Sequence, residues 1–498
     1  MSKIIVQKQN EVYLKIFTEP AISEEIAEFF TFMSPNYNYS PLFKERKWDG
    51  KIRLYNRRSK TLCIGLSKHL EQFAKERNYT IEGLEYQSEP WSLKESNDFI
   101  ATLNITAHGK PIVPHEHQLN AITKALRYVR RVILSPTNSG KSYIAYVITR
   151  YLIQKGLKGL IVVPTISLVE QLHSDFKDYS TQNDWNVDQH IHKIYSGQDK
   201  FIKKDVTIST WQSIHDLGDT DFFKRFDFVI GDEAHHFKAK CLGKIMTSLV
   251  NAKYRIGMSG TIQDAEVHKL ALEGHFGPVT RVATNKELID KKISADVTIK
   301  CLVLKYTPQE ALHVAKMDYH QELEFLINHK RRNGFINNLA LSLKENTLIT
   351  FQFVEHGKYI HKLLNIKNTD PNRKIFLVYG GTELEDREAI RKIVEKEKNA
   401  IIVASYGVFS TGVNIRNLHH IIFASPSKSK IRVLQTIGRG LRISETKSSM
   451  TLYDVSDDLR IGTETNYTLL HYAERVKIYH EEKFLVKVYN IALIGGNV

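Results

Sequence analysis

The most constraining feature of the sequence is an apolar strand that breaks into a phosphate-sized loop. Val132 to Leu134 form the strand, SPTNSGKS follows at 135–142, and Tyr143 to Gln154 read as a helix. The octet fits G-x-x-x-x-G-K-[ST], with Ser135 in place of the first glycine. Gly140 permits the tight backbone. The loop Thr137, Asn138, Ser139 and Gly140 is then expected to point its amides at a β-phosphate from a helix N-terminus. Lys141 would neutralise the β- and γ-phosphates, and Ser142 would offer a hydroxyl to Mg²⁺.

Such a loop needs a parallel sheet to carry it, and the chain supplies two. From about 105, the short β-branched runs VRRVILS, GLIVVP, DVTIST, FDFVIGDE and YRIGMSGT alternate with longer helical patterns. That is the pattern of parallel strands covered by helices on both faces. A second set begins near 295 with VTIKCLVLKY, NTLITFQF, KIFLVYGG, AIIVASY, HHIIFASP and MTLYDVSD. The expected organisation is a small basic α/β domain over 1–104, a first parallel α/β domain over 105–290, a second over 291–455, and a C-terminal helical extension over 456–498. In the first region Ile22, Ile26, Phe30 and Met33 recur at near-helical spacing, and QSEPWSLKESND reads as a polar linker.

With 498 residues the chain is too long for a single core. Its apolar runs are far shorter than the roughly 20 residues that span a bilayer. The opening MSKIIVQKQNEVYLKIF is too polar for a signal peptide, so an intracellular protein with no membrane partner is expected. Cys63, Cys241 and Cys301 are too few and too scattered for a disulfide framework, a Cys-x-x-Cys metal site or a four-cysteine cluster. Lys and Arg exceed Asp and Glu by 15 (70 against 55). That excess favours a polyanionic partner.

The second half of a nucleotide site should be acidic and at a strand end. FDFVIGDEAHHF meets that requirement. Asp232 follows the strand Phe228 to Ile230 and would hold Mg²⁺; Glu233 would polarise the attacking water; His235 stands beside them. Far along the chain, QTIGRGLR places Arg439 and Arg442 three residues apart, on one face if helical. Arginine supplied by a second lobe stabilises charge on a γ-phosphate, an effect of order 10³–10⁵ in rate. Two sheets would then enclose ATP in a cleft.

In order, these segments resemble the motifs of superfamily 2 helicases, from about 115 to 442. PHEHQ has Gln118 where the family reads adenine, with His117 where an aromatic is common. SPTNSGKS resembles motif I, VVPTISLVEQ motif Ia, ISTWQS motif Ib, DEAH motif II and SGT motif III. ASYGVFSTGVNI resembles motif V, with Gly412 and Asn414 on the nucleotide side and Asn414 where aspartate is frequent. QTIGRGLR resembles motif VI, with Gln435, Arg439 and Arg442. WDGKIRL, IVASYGVFSTGVNI and KSKIRVLQTIGRGLR are similar to the phage UvsW-type helicases. That resemblance implies two tandem RecA-like motor domains, ATP with Mg²⁺, and 3′–5′ translocation on branched, forked or single-stranded DNA. It also implies branch migration, fork regression and unwinding of D-loops or R-loops, the last with RNA as a partner, by a monomer in a host cytoplasm. An RNA helicase, or a translocase subunit or ATP-gated module that needs a partner, are the alternative readings.

A motor that tracks any sequence needs phosphate contacts. Pro164, Thr165 and Gln171, then Ser209, Thr210 and Gln212, and Thr411 in motif V are the expected nucleic-acid contacts, and each hydroxyl has an equally good reading as a helix cap. In the N-terminal region Lys44, Arg46, Lys47, Lys51, Arg53, Arg57 and Arg58 crowd together, with Trp48 and Tyr55 interleaved. Arg46, Lys47, Arg53 and Arg57 are the expected DNA contacts there. Strand alternation puts Ile52 and Leu54 inward and Lys51, Arg53 and Tyr55 outward, and leaves Trp48 as either a core plug or a base wedge.

Overall fold

The computed structural model describes residues 3–35, 37–217, 221–238, 240–262, 266–411, 415–425, 427–443 and 447–493. The chain divides into two compact units. One comprises residues 1–135 and 140–283, the other 284–498 with the loop residues 136–139.

The first unit contains two sheets. The N-terminal one has five strands in the order Tyr55–Asn56, Thr61–Cys63, Tyr13–Phe17, Lys3–Lys8, Thr80–Glu82. Its inner face carries Ile4, Val6, Leu14, Ile16 and Leu62, packed on the helices Pro20–Phe29 and Ser67–Glu76 through Ile22, Ile26, Leu70 and Phe73. The alternation expected over 51–55 fails at its end. Tyr55 is buried, with its hydroxyl 3.1 Å from Ser23 Oγ. Lys51–Arg53 pairs with Thr31–Met33, whereas Tyr55–Asn56 pairs with Thr61–Cys63 in the other sheet. The chain changes sheets at Leu54, and the in–out phase restarts. The stretch read as a linker also differs: Ser92 caps a helix, Leu93–Thr102, through a reciprocal bond with Glu95. Ile100 of that helix and Leu103 at its end lie in the core of the next sheet.

That next sheet has seven parallel strands in the order Ile191–Ile194, Val206–Thr210, Gly159–Val163, Phe228–Gly231, Tyr254–Ser259, Arg130–Leu134, Val279–Arg281. The central strands are buried along their length, which is why they read as continuous β-branched runs rather than alternating ones.

The N-terminal domain is seated on this second sheet by polar contacts. Arg130 Nη2 donates to the Glu11 carbonyl (2.7 Å) and to Glu11 Oε2 (2.8 Å). The Glu11 amide donates to Val250 O at 3.0 Å. His69 Nε2 lies 2.7 Å from Glu273 Oε2 on the helix Glu266–Phe276. Gly65 approaches the same helix so closely that a Cβ would fall 1.9 Å from the Glu273 carbonyl oxygen.

The second unit is built on another seven-stranded parallel sheet, in the order Ile375–Val378, Ile401–Ser405, Thr347–Phe351, His420–Phe423, Ser449–Asp458, Asp296–Lys305, Leu485–Ala492. Here the expected all-helical C-terminus is corrected. Tyr467–Glu481 is a helix, but Leu485–Ala492 is an edge strand parallel to Asp296–Lys305. Its run of Val, Tyr and Ile favours strand, and the free edge of Asp296–Lys305 gives it a partner. Arg475 on that last helix is fully buried and donates from Nε and Nη2 to Asp454 at 2.8 and 2.7 Å. Arg332 makes the equivalent pair with Asp457, at 2.7 and 3.1 Å. Among the described residues no helix is long and apolar enough to cross a membrane, and no group of three or more potential metal ligands occurs.

Gly65→Ala would force the N-terminal domain off the Glu266–Phe276 helix. The expected loss is about 1–3 kcal/mol of stability, measured as a lower denaturation midpoint. An unchanged midpoint would show that the close approach is not structurally required.

Candidate functional site

Three neighbouring strands of the first unit deliver the nucleotide motifs to one edge. Leu134 is in register with Ser259, and Gly231 with Gly257. The loops that start after Leu134, Gly231 and Ser259 therefore lie side by side at the carboxyl ends of parallel strands, where such sheets bind ligands. Backbone bonds lock them: Ser135 N donates to Ser259 O (2.9 Å) and Asp232 N to Val162 O (3.0 Å).

Within the loop, the Ser139 amide and hydroxyl both donate to Pro136 O, at 3.3 and 2.7 Å. Asn138 has φ 74° and Gly140 φ 82°. The left-handed pair turns the chain sharply into the helix Lys141–Gln154, and asparagine is among the few side chains that tolerate this region. A side chain at Gly140 would collide with Gln118 Nε2, so the Gln118 amide lies directly against the loop. Gln118 Oε1 already accepts from His115 N (2.9 Å), which leaves its Nε2 as the end that faces the loop. His117 is buried, and its ring stacks nearly parallel to His115. Thr137 sits half-buried between the strand and the turn. Lys141 Nζ donates to Ser135 O at 3.3 Å.

The acidic segment is equally constrained. Asp232 Oδ1 accepts from the Glu233 amide (2.9 Å), and Glu233 has φ 48°. A non-glycine residue in that region is held there by its surroundings at some cost. Burial and the neighbouring Glu233 charge push the Asp232 carboxyl up. Burial would also raise Glu233, but His235 and the Lys141 ammonium outweigh it and hold its carboxyl below the usual range. His235 bridges two motifs. Its Nδ1 lies 2.9 Å from Ser259 Oγ, which itself donates to Thr261 O at 2.6 Å, so His235 is the donor to Ser259. A change at the acidic loop thus reaches the SGT loop through one hydroxyl.

Ser135 Oγ, His235 Nε2 and Thr261 Oγ1 are buried without a hydrogen-bond partner, and Glu233 Oε2 lies 3.3 Å from His235 Nδ1. Buried polar atoms without partners are rare in folded proteins, and these three lie on the three adjoining loops. Buried hydroxyl and ring donors without partners on these loops fit a phosphate group, and the Ser142 hydroxyl and the Asp232 carboxylate are oxygen groups of the kind that could hold Mg²⁺.

Sequence reasoning missed Tyr179. Its hydroxyl lies 2.9 Å from Ser142 Oγ, brought there by the helix Ile166–Tyr179. No spacing rule could reveal a contact across 37 residues between two helices.

The residues expected to meet nucleic acid leave the two strands on the other side of Phe228–Gly231. Gln212 Nε2 donates to Pro164 O (3.2 Å) and ties those two loops together. Thr165 caps the Ile166–Tyr179 helix by accepting from Leu168 N, and Gln171 is half-buried on that helix. Thr210 Oγ1 pairs with Ser213 Oγ. The Ser209 hydroxyl points inward instead: it is fully buried and donates to Ile194 O and Thr210 O. Strand alternation places it there, and only its backbone faces the loop.

In the N-terminal domain three of the four expected cations are paired. Arg53 bonds Asp49, Arg57 bonds Glu24, and Lys47 bonds Glu45. Arg46 is exposed, with φ 56°. Trp48 is half-buried and donates from its indole to Lys51 O (3.1 Å), within its own turn.

In the second unit, Gln435 and Arg439 lie on the helix Lys430–Gly440, and the Arg439 guanidinium stands 5.9 Å from the Phe409 ring. The helix stops at Gly440, so Arg442 falls beyond its end and the expected shared helical face does not extend to it. Lys447, also missed, is buried and donates to Gly440 O at that end. Burial and the Arg442 charge push its ammonium down to about 7. Thr411 closes the helix Tyr406–Thr411. Gly412 and Asn414 lie outside the described residues.

A phosphate loop, an acidic strand end and a bridging histidine on one parallel sheet, followed by a second such sheet, define a superfamily 2 helicase motor. Three family profiles match in succession: "DNA helicase UvsW, N-terminal" over 3–82, "Type III restriction enzyme, res subunit" over 111–264 and "Helicase conserved C-terminal domain" over 331–444. The ATP-dependent DNA helicase uvsW of Enterobacteria phage T4 is 33% identical over 95% of this chain and 96% of its own length. The crystal structure of T4 UvsW matches with a TM-score of 0.52 at 30% identity, covering 99% of this chain and 100% of that one. An ATP-dependent Type ISP restriction-modification enzyme bound to DNA shares the fold, with a TM-score of 0.57 at 16% identity over 84% of this chain and 34% of that one. The chain belongs to the UvsW family of superfamily 2 helicases.

Tyr179→Phe removes the hydroxyl that orients Ser142. Nucleotide affinity in the presence of Mg²⁺ is expected to fall about 2–10-fold, the worth of one hydrogen bond, in a titration with a fluorescent ATP analogue. Equal affinities would leave Tyr179 with a packing role alone.

Proposed function

We propose that this chain is an ATP-driven DNA helicase that translocates on branched, forked or single-stranded DNA and migrates, regresses or unwinds the branch. Family membership supports the ATP-dependent DNA helicase activity. The observation that carries the chemistry is the register that sets the Ser135–Ser142 loop, Asp232–His235 and Ser259–Thr261 beside one another.

In this reading the loop amides and Lys141 bind the phosphates of ATP, and the Gln118 amide faces the adenine. Ser142 and Asp232 would hold Mg²⁺, which neutralises phosphate charge when bound. Glu233, kept ionised by His235 and Lys141, accepts the proton of the attacking water. Gln435, Arg439 and Arg442 take the motif VI role of stabilising charge on the transferred phosphate, with Gly412 and Asn414 in motif V on the nucleotide side. His235, through Ser259, passes the state of the acidic loop to Thr261. Pro164, Thr165, Gln171, Thr210, Gln212, Thr411 and the backbone at Ser209 form the strand path, aided by Arg46. The protein acts as a monomer in the cytoplasm of a phage host, on DNA and on the RNA strand of R-loops.

Steady-state ATPase with no polymer, single-stranded DNA, forked DNA, a four-way junction and RNA tests this reading. Strongest stimulation by forks or junctions is expected; stimulation by RNA alone would overturn it. Lys141→Ala should lower turnover by about 10²–10³-fold, the range for losing one transition-state donor, with DNA affinity retained. Glu233→Gln should bind ATP and stall. Near-normal hydrolysis by either variant would remove that residue from its assigned role.

A further inference from the structure

The N-terminal sheet packs one face on its helices and covers the other at its Cys63 end, against Gly274. Its other face carries the alternate residues of Tyr13–Phe17, namely Tyr13, Lys15 and Phe17, with Lys15 in register with Thr61. The turn before Thr61 adds Arg58 and Lys60 above that strand. It is a built turn: Asn56 Oδ1 accepts from Arg58 N (3.0 Å) and Ser59 N (3.1 Å), Lys60 has φ 56°, and Lys60 O accepts from Ile16 N at 2.9 Å. Together they line an open groove of about 620 Å³ in which no lining residue is a carboxylate.

Charge separates this groove from three cations of the basic stretch that leads into it. Arg53, Arg57 and Lys47 are each matched to a carboxylate. Lys15, Arg58 and Lys60 have no carboxylate within 4 Å among the described residues. Three like charges on one face repel one another unless an outside anion joins them. Phe17 is 39% exposed and lies beneath Lys15 Nζ, 5.7 Å from ring centre to nitrogen. Cations beside an exposed aromatic ring suit a sugar-phosphate backbone whose bases are unpaired and free to stack; a duplex would hide its bases from the ring.

We propose that this face is a second nucleic-acid site, holding a single strand by phosphate contacts to Lys15, Arg58 and Lys60 and by base stacking on Phe17. The inference rests on the DNA-motor reading and adds a strand path outside the helicase motifs. Its mechanical link is already present. The turn that leads into the Tyr13–Phe17 strand contains Glu11, which Arg130 grips, and Arg130 begins the strand that ends in the phosphate loop. A strand held on this face is therefore anchored to the body that binds ATP.

The test is fluorescence anisotropy of labelled oligothymidylate, forked DNA and blunt duplex across a salt series, with ATPase measured in parallel. The proteins are wild type, Lys15→Gln/Arg58→Gln/Lys60→Gln, Phe17→Leu and Arg53→Gln/Arg57→Gln. The triple variant is expected to bind oligothymidylate at least 10-fold more weakly. Its slope of log affinity against log salt should be shallower by about 2, three contacts at about 0.7 each. Its melting temperature and polymer-free ATPase should match wild type. Phe17→Leu should weaken single-strand binding several-fold and leave duplex binding unchanged, and the Arg53/Arg57 variant should change little. Wild-type affinity and slope in the triple variant, with wild-type ATPase still stimulated by DNA, would overturn this site and leave the motor reading intact. Loss of duplex binding in the triple variant with no effect of Phe17→Leu would overturn the single-strand assignment. A wild-type protein that neither binds nor responds to DNA would overturn the motor reading and this site with it.

Discussion

Everything chemical in this protein depends on the parallel hydrogen-bond register between Arg130–Leu134, Tyr254–Ser259 and Phe228–Gly231. Parallel strands end together, and their next residues emerge at a common edge. Three loops from separate stretches of the chain are brought to one place by that register, and Ser135, Asp232 and Ser259 are then fixed by backbone bonds. The burial of the central strands stabilises the arrangement. The left-handed backbone at Asn138, Gly140 and Glu233 shows where the local chain yields to it.

The same edge carries two sets of loops. Strands on one side of Phe228–Gly231 carry the phosphate loop and SGT, and strands on the other carry the loops around Thr165 and Thr210. Asp232 sits between them, its amide bonded to Val162 at the end of the Thr165 strand. His235 and Ser259 extend the connection sideways. The acidic loop is thus bonded on one side to the Gly159–Val163 strand through its backbone and on the other to the SGT loop through His235.

Charge is organised less simply than composition implies. The excess of 15 positive charges predicts a polyanionic partner, yet three of the seven cations in the densest basic stretch are matched by nearby carboxylates. Arg58, at the end of that stretch, stands with Lys15 and Lys60 on a neighbouring strand and turn. Other arginines are internal struts: Arg475 and Arg332 cross-link their helices to the strand Ser449–Asp458, each fully buried against one aspartate. Such pairs are costly to break once buried, because the remaining charge has no water to return to.

The periodicity of the sequence was enough to place the strands, the phosphate loop, the acidic strand end and the helix that carries Arg439, because those signals lie within a dozen neighbouring residues. Contacts between segments distant in sequence were not legible. Tyr179 reaches Ser142, Lys447 reaches Gly440, and Gly65 meets Glu273, none of which any local pattern encodes. The phase of Tyr55 and the strand at Leu485–Ala492 were misread for the same reason: a residue's face, and an edge strand's existence, depend on which partner strand is available. By itself the sequence determined the fold class and the chemistry of each loop, through short-range hydrophobic period and turn geometry. Only the tertiary structure decided which of those groups are neighbours, which hydroxyls are spent inside, and which cations remain free, since these follow from packing and pairing across the whole chain.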